Sequence, residues 1–173
     1  MFKKDNGLKA EYVIANLMIA CLQDDNLAMS CLAGAKESIF TADMFGATWK
    51  IMPDVIDSNS GRIVDLTTTS SIRDKVWQES SRSFVPFFEY QKKPLKMAIY
   101  SEVERLAAGR PAGSYLDYLL VAVSKEKQPD KAVILMTDID RLSAELQTIS
   151  SNIPRIIELK AGTAVPVRCE KCS

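Results

Sequence analysis

Two aspartates, Asp54 and Asp65, flank the turn-forming cluster Ser58-Asn59-Ser60-Gly61 within WKIMPDVIDSNSGRIVDLTTT, residues 49–69. Apolar runs on both sides of such a cluster predict a β-hairpin with one aspartate on each arm. Side chains alternate faces along a strand, so Asp65 shares a face with Thr67, and Asp54 shares one with Lys50. Pairing the arms brings the two carboxylates together, and paired carboxylates offer hard oxygen ligands to a divalent cation.

Composition narrows the chemistry further. The 173 residues contain no histidine, which removes Ser/His and Cys/His nucleophile schemes, histidine general bases and most zinc hydrolase sites. Lys plus Arg balances Asp plus Glu at 22 each, so no overall basic field draws the chain to nucleic acid, and any phosphate contact must come from a local patch. Arg62, Arg73, Lys75 and Arg82 are candidates for such contacts, although a charged run is usually a solvated face. Cys21 and Cys31 lie in apolar surroundings and read as small buried hydrophobes. Cys169 and Cys172 form a C-terminal CxxC, half of a metal or cluster site. No apolar run approaches the ~18 residues that span a bilayer, and the start lacks the apolar segment of a secretory signal, so a cytoplasmic location without membrane contact is expected.

The elements that must position these groups are readable in order. Residues 8–22 carry a helical apolar pattern, Asp24-Asp25-Asn26 ends it or caps a short turn over 27–32, and Gly34 breaks the chain. Residues 37–44, 48–56 and 62–68 read as three strands of a meander. Ser70-Ser71 predicts the cap of a short helix reaching Trp77, and 79–88 reads as a loop. Trp77, Phe84, Phe87, Phe88 and Tyr90 read as packing residues rather than base-stacking ones. Residues 94–108 form a second helix with an apolar stripe of Leu95, Ala98, Ile99, Val103 and Leu106. Lys96 lies about 100° round from Leu95, beside the stripe, and reaches an edge of the core. Strands over 115–124 and 132–136 follow, then a helix over 139–160 that Pro154 should kink or interrupt. This order predicts one α/β (α+β) domain over 1–173, with a mixed central β-sheet flanked by helices.

Pro53-Asp54, a turn, and then Val64-Asp65-Leu66-Thr67-Thr68 resembles the core pattern of the PD-(D/E)XK nuclease superfamily, with threonine where the pattern has its lysine. The likeness extends through Lys9-Ala10-Glu11-Tyr12, Trp49-Lys50, Glu89-Tyr90, Ala98-Ile99-Tyr100, the loop 125–130, Asn152-Ile153-Pro154-Arg155 and Arg168-Cys169-Glu170-Lys171-Cys172. Together these resemble the RecE-like (RecB-type) exonucleases of phages and prophages. The resemblance implies a restriction-endonuclease-like core, a metal-dependent DNA nuclease that processes ends for recombination, and Asp54 and Asp65 as ligands of Mg²⁺ or Mn²⁺.

The missing lysine has a candidate replacement. Where the family's helix reads approximately Tyr-Asp-Ile-Gln-Gly-Ala-Ile-Tyr, this chain reads Lys93-Pro94-Leu95-Lys96-Met97-Ala98-Ile99-Tyr100, which puts Lys96 at a glutamine position that faces the active site in relatives. Lys96 is therefore the expected catalytic cation, migrated from position 67, with Lys50 a weaker candidate. Relatives also carry an upstream helix with an acidic site residue and a cysteine, and a third cysteine after the CxxC. A complete iron–sulfur cluster is accordingly not expected in one copy of this chain, and Glu11 or Glu37 would have to replace the acidic residue if they are not plain surface charges. Ring assembly among related exonucleases allows a homo-oligomer. The alternative is a catalytically degenerate member of the fold that serves as a DNA-binding or protein-interaction module.

Overall fold

A computed structural model describes residues 9–167. Leu8 and the CxxC pair Cys169 and Cys172 lie outside the described residues. The core is a five-stranded mixed sheet in the order β1-β4-β5-β8-β9. β1 (Ala35–Lys36) and β4 (Val55–Asp57) pair antiparallel, as do β4 and β5 (Arg62–Thr69). β5 and β8 (Asp117–Ser124) run parallel, and β9 (Lys131–Met136) returns antiparallel to β8. The parallel pair requires a crossover, and the chain between β5 and β8 supplies it.

Alternation along β5 assigns its two faces. Val64, with Val55, Leu119, Val121 and Val123, packs beneath α1 (Ala10–Gln23) and α2 (Asn26–Cys31). Ile63, with Tyr118, packs instead beneath Met97 and Ala98 of α4 (Lys93–Ala107) and Leu142 of α5 (Ile139–Ala161). Ile63 and Val64 are both completely buried, so β5 is covered on both sides at its start. Asp65 and Thr67 continue the Ile63 face and therefore point toward the α4 layer. Cys31 is buried as expected, whereas Cys21 is half-buried and its thiol donates to the Pro129 carbonyl at 3.2 Å.

The predicted three-strand meander is divided. The expected strand over 48–56 breaks at Met52-Pro53-Asp54 into β3 (Ala47–Ile51) and β4, because Pro53 has no N–H to give to a ladder. β3 pairs only with β2 (Phe40–Met44) in a separate two-stranded sheet, whose Met44 and Ile51 pack on Val103 of α4. The predicted strand over 37–44 is shortened to β2, with Glu37, whose φ is +50°, and residues 38–39 lying outside any strand.

Two further expectations change. The chain after Ser70-Ser71 is not helical: β6 (Val76–Gln78) and β7 (Ser83–Val85) form a hairpin where a short helix and a loop were expected, followed by α3 (Phe87–Tyr90). α5 runs uninterrupted through Pro154, which is exposed, so the carbonyl one turn earlier that loses its N–H partner is not trapped in the core. Asp138 caps this helix by accepting from the Arg141 N–H at 2.9 Å. Among the described residues, no helix is long and apolar enough to cross a membrane.

Candidate active site

The β4–β5 register pairs Val55 with Val64 and Ile56 with Ile63, which sets Asp54, just before β4, opposite Asp65. The Asp54 carboxylate reaches across this seam and accepts the Leu66 backbone N–H at 2.8 Å. That bond satisfies a donor on an edge where β4 has not yet begun, so the Pro53 break and the position of the Asp54 side chain have one cause. Glu37 meets this point through its backbone, its N–H donating to the Asp54 carbonyl at 3.2 Å.

Asp65 is 2% exposed, and a bare carboxylate there would be costly. Two lysines from α4 meet it. Lys93 Nζ lies 2.8 Å from one carboxylate oxygen, and Lys96 Nζ bonds the other. Lys96 also stacks over the Tyr100 ring at 4.8 Å, one turn further along the helix. The first turn of α4 thus carries two cations at i and i+3 and no acidic residue, and its N-cap, Lys92, gives no side-chain cap. Positive charge at a helix N-terminus opposes the helix dipole, and the buried Asp65 carboxylate offsets that cost.

The electrostatics follow from this geometry. Burial alone would raise the Asp65 pKa, but hydrogen bonds and charge from Lys93 and Lys96 hold it below the ordinary carboxylate value. Asp54 shifts the other way: burial raises it, the Leu66 N–H lowers it, and its hydrogen bond and repulsion with Asp65 add to the rise. Burial would lower Lys96, yet Asp65 dominates and raises it. Beneath the pair, the buried Tyr118 hydroxyl has no hydrogen-bond partner among the described residues, and burial together with the negative charge of Asp65 pushes its pKa upward.

Asp54, Asp65 and Lys96 are therefore brought together, as their sequence positions suggested. Lys93 was missed by sequence reasoning, although two lysines at i and i+3 in a first turn without acidic residues carried the signal. Gln91 was missed as well: it accepts the Thr67 hydroxyl at 3.2 Å and donates to the Thr68 carbonyl at 3.2 Å. Thr67 is held by that contact, on the same β5 face as Asp65. Lys50 does not join the cluster, because the Pro53 break puts it on β3, exposed and outside the main sheet. Glu11 is exposed on α1, and the Glu37 side chain is also exposed.

A family model described as a PDDEXK-like domain of unknown function, DUF3799, matches residues 1–173. The chain belongs to that family. Its fold is restriction-endonuclease-like, as in the crystal structure of a protein from Eubacterium rectale named as a candidate exonuclease, which matches with a TM-score of 0.85 and 32% identity. The match covers 99% of this chain and 62% of that one, so this PDDEXK-like domain spans less than two thirds of that relative's length. No curated protein matches it.

PD-(D/E)XK nucleases generally use divalent metals, and the donor set suits one. Among the described residues no group of three or more Asp, Glu, Cys or His side chains converges as a cage. Two adjacent carboxylates nevertheless match the way Mg²⁺ is often held, by one or two carboxylates with water and phosphate oxygens completing the shell. Burial, and then the proximity of Asp65, raises Asp54, and a cation between the pair would relieve the repulsion.

Proposed function

We propose that this PDDEXK-like domain is a DNA nuclease that hydrolyses phosphodiester bonds in an exonuclease-like manner, with Asp54 and Asp65 holding Mg²⁺ or Mn²⁺. The observation that carries this reading is the convergence of Asp54, Asp65, Lys93 and Lys96 at one seam. When bound, the cation acidifies water and offsets charge developing on the attacked phosphate. Asp65 orients both ammonium groups, and Asp54 is fixed by the Leu66 N–H so that one of its oxygens remains available. Lys96, partly exposed, supplies the positive charge toward the phosphate that Thr67 cannot. Lys93, more deeply buried, neutralises the other Asp65 oxygen and keeps the carboxylate ionised. A role in phage recombination fits this activity.

The test uses linear and circular DNA with Mg²⁺ or Mn²⁺, comparing the wild type with Asp54→Ala and Asp65→Ala. Metal-dependent shortening of linear DNA, lost in both variants, is the expected result. Absence of cleavage under both metals would overturn it.

One observation favours the second reading, a degenerate module that retains binding without catalysis. Both Asp65 oxygens are already engaged by lysines, so a metal must share them. On that reading DNA or a protein partner is bound with no metal dependence, and Asp54→Ala leaves binding unchanged.

A further inference from the structure

The hairpin inserted between β5 and α4 is amphipathic in an unusual sense. Val76 pairs with Val85 and Gln78 with Ser83, and Val76, Gln78 and Val85 are half-buried. Trp77 pairs with Phe84 on the opposite face, where they remain 46% and 64% exposed. A hairpin fastened to the body by its apolar residues would turn the largest rings inward, because they remove the most apolar surface from water. Here the smaller valines face the body and the rings face outward. Trp77 and Phe84, expected to be packing residues, pack on each other and not into the core, whereas Phe87, 2% exposed, packs in the core.

The two rings meet edge to face, with centroids 5.3 Å apart and planes at 67°. Such a pair stabilises a two-stranded ribbon, and it covers at most one face of one ring. The Trp77 indole N–H donates to Glu79 at 3.2 Å, which fixes the plane of the larger ring. Tyr90, at the end of α3, is also exposed.

Charge and placement indicate what would cover these rings. Lys75 precedes Trp77 by two residues and Arg82 precedes Phe84 by two; both are exposed, and neither forms an ion pair among the described residues. The C-terminal end of the insertion is tied to β5 beside Asp65 through Gln91, while its N-terminal end is pinned to the end of β5 and to Asp130 before β9. Thr69, the last residue of β5, donates to the Ser71 carbonyl at 3.1 Å, Arg73 pairs with Asp130 at 2.7 Å, and Gln91 bonds Thr67 and Thr68. Exposed rings interleaved with unpaired cations match single-stranded nucleic acid, whose bases stack on aromatic faces while its phosphates meet basic side chains.

We propose that the Trp77–Phe84 face of the β6–β7 hairpin is a stacking platform for the bases of a single DNA strand beside the Asp65 site. This rests on the nuclease reading for its biological sense, but its test needs no cleavage.

Trp49 and Trp77 are the two tryptophans, so Trp49→Phe leaves Trp77 as the reporter. Its fluorescence is titrated with a short oligothymidylate and with a blunt duplex in EDTA. The expected result is saturable quenching by the single strand and weaker quenching by the duplex. Phe84→Ala and, monitored by anisotropy of a labelled oligonucleotide, Trp77→Ala should each weaken single-strand binding by about 5- to 150-fold, the equivalent of ~1–3 kcal/mol per stacked base. Lys75→Ala with Arg82→Ala should make the salt dependence shallower by roughly 1.4, at about 0.7 per neutralised phosphate. No quenching, or quenching by duplex alone, overturns the proposal. So does a change of oligomeric state in Trp77→Ala by sedimentation with DNA binding unaltered, which would mark a self-association face. Quenching without metal-dependent cleavage leaves the platform standing and removes the nuclease reading; cleavage without quenching does the reverse.

Discussion

Lys93 Nζ sits 2.8 Å from the one Asp65 carboxylate oxygen that Lys96 does not take, so a single buried anion fastens the first turn of α4 to β5. Removing one cation should cost about 1.5–3 kcal/mol, the range for a hydrogen bond to a charged group, with Lys96 toward the lower end because it is partly exposed. Lys93→Met with Lys96→Met leaves the anion uncompensated and should cost roughly 3–5 kcal/mol. Adding Asp65→Asn to that double variant should recover most of the loss without restoring cleavage. Urea denaturation of the wild type, the two single variants, the double and the triple variant checks this, and a double variant as stable as the wild type would refute the electrostatic account.

The same trio explains which parts of the site were legible in the sequence. Asp54 and Asp65 stand at positions that a simple hairpin register brings opposite each other, and that register is kept although Asp54 precedes its strand. Strong local patterns, such as the apolar run of β8 and the proline-started α4, likewise appear where expected. Pro53 was visible, but its consequence was not: the choice between one long strand and two depends on which sheet each half joins, a tertiary matter. Lys93 was not legible on its own because a lysine in the first turn of a helix, where the dipole disfavours a cation, has the local pattern of a solvated residue until its buried anionic partner is known. The alternation in Val76-Trp77-Gln78 spans only three residues, too few to be told from the short helix expected there, and it does not say which face turns inward, which decides between packing and binding.

Thr67→Lys restores the family's lysine by type, yet it should not improve this site. Thr67 is nearly buried on the Asp65 face, so a third ammonium would join Lys93 and Lys96 around one carboxylate and repel them. The expected result is a stability loss of roughly 1–3 kcal/mol, as for overpacking or an unpaired buried charge, with reduced cleavage. In a Lys96→Ala background the added lysine should instead raise cleavage above that of Lys96→Ala alone. Steady-state rates of the three variants separate these outcomes, and a gain from Thr67→Lys in the wild-type background would contradict the crowding argument.

Tyr118 offers a test of the layer beneath the carboxylates. Its hydroxyl is buried without a partner among the described residues, so the ring contributes apolar burial while the oxygen carries an uncompensated desolvation cost. Tyr118→Phe keeps the ring and removes the oxygen, and should stabilise the chain by about 1 kcal/mol. A lowered midpoint in thermal denaturation would show that the hydroxyl is engaged by a group that stabilises it.

The two aspartates should respond oppositely to pH. Asp65 is held below its unfolded value of ~3.9, so its contribution to stability is present above that pH and is lost as pH falls through its folded value. Asp54 is raised, so the folded chain binds more protons than the unfolded chain between ~3.9 and the folded value, and stability falls as pH rises through that window. Lys96 is raised as well, and its contribution is complete below ~10.4 and lost as pH rises through its folded value. If Asp54 must be ionised to ligate a cation, Mn²⁺ affinity measured calorimetrically should fall along an acid limb that lies above the ordinary aspartate range. Because the ion and the proton compete for Asp54, the acid limb of the cleavage rate should move to lower pH as the Mn²⁺ concentration rises. Asp54→Asn should abolish that limb in the binding measurement, leaving only weak binding at Asp65. A limb that stays fixed across metal concentrations would place the titrating group somewhere other than the metal ligands.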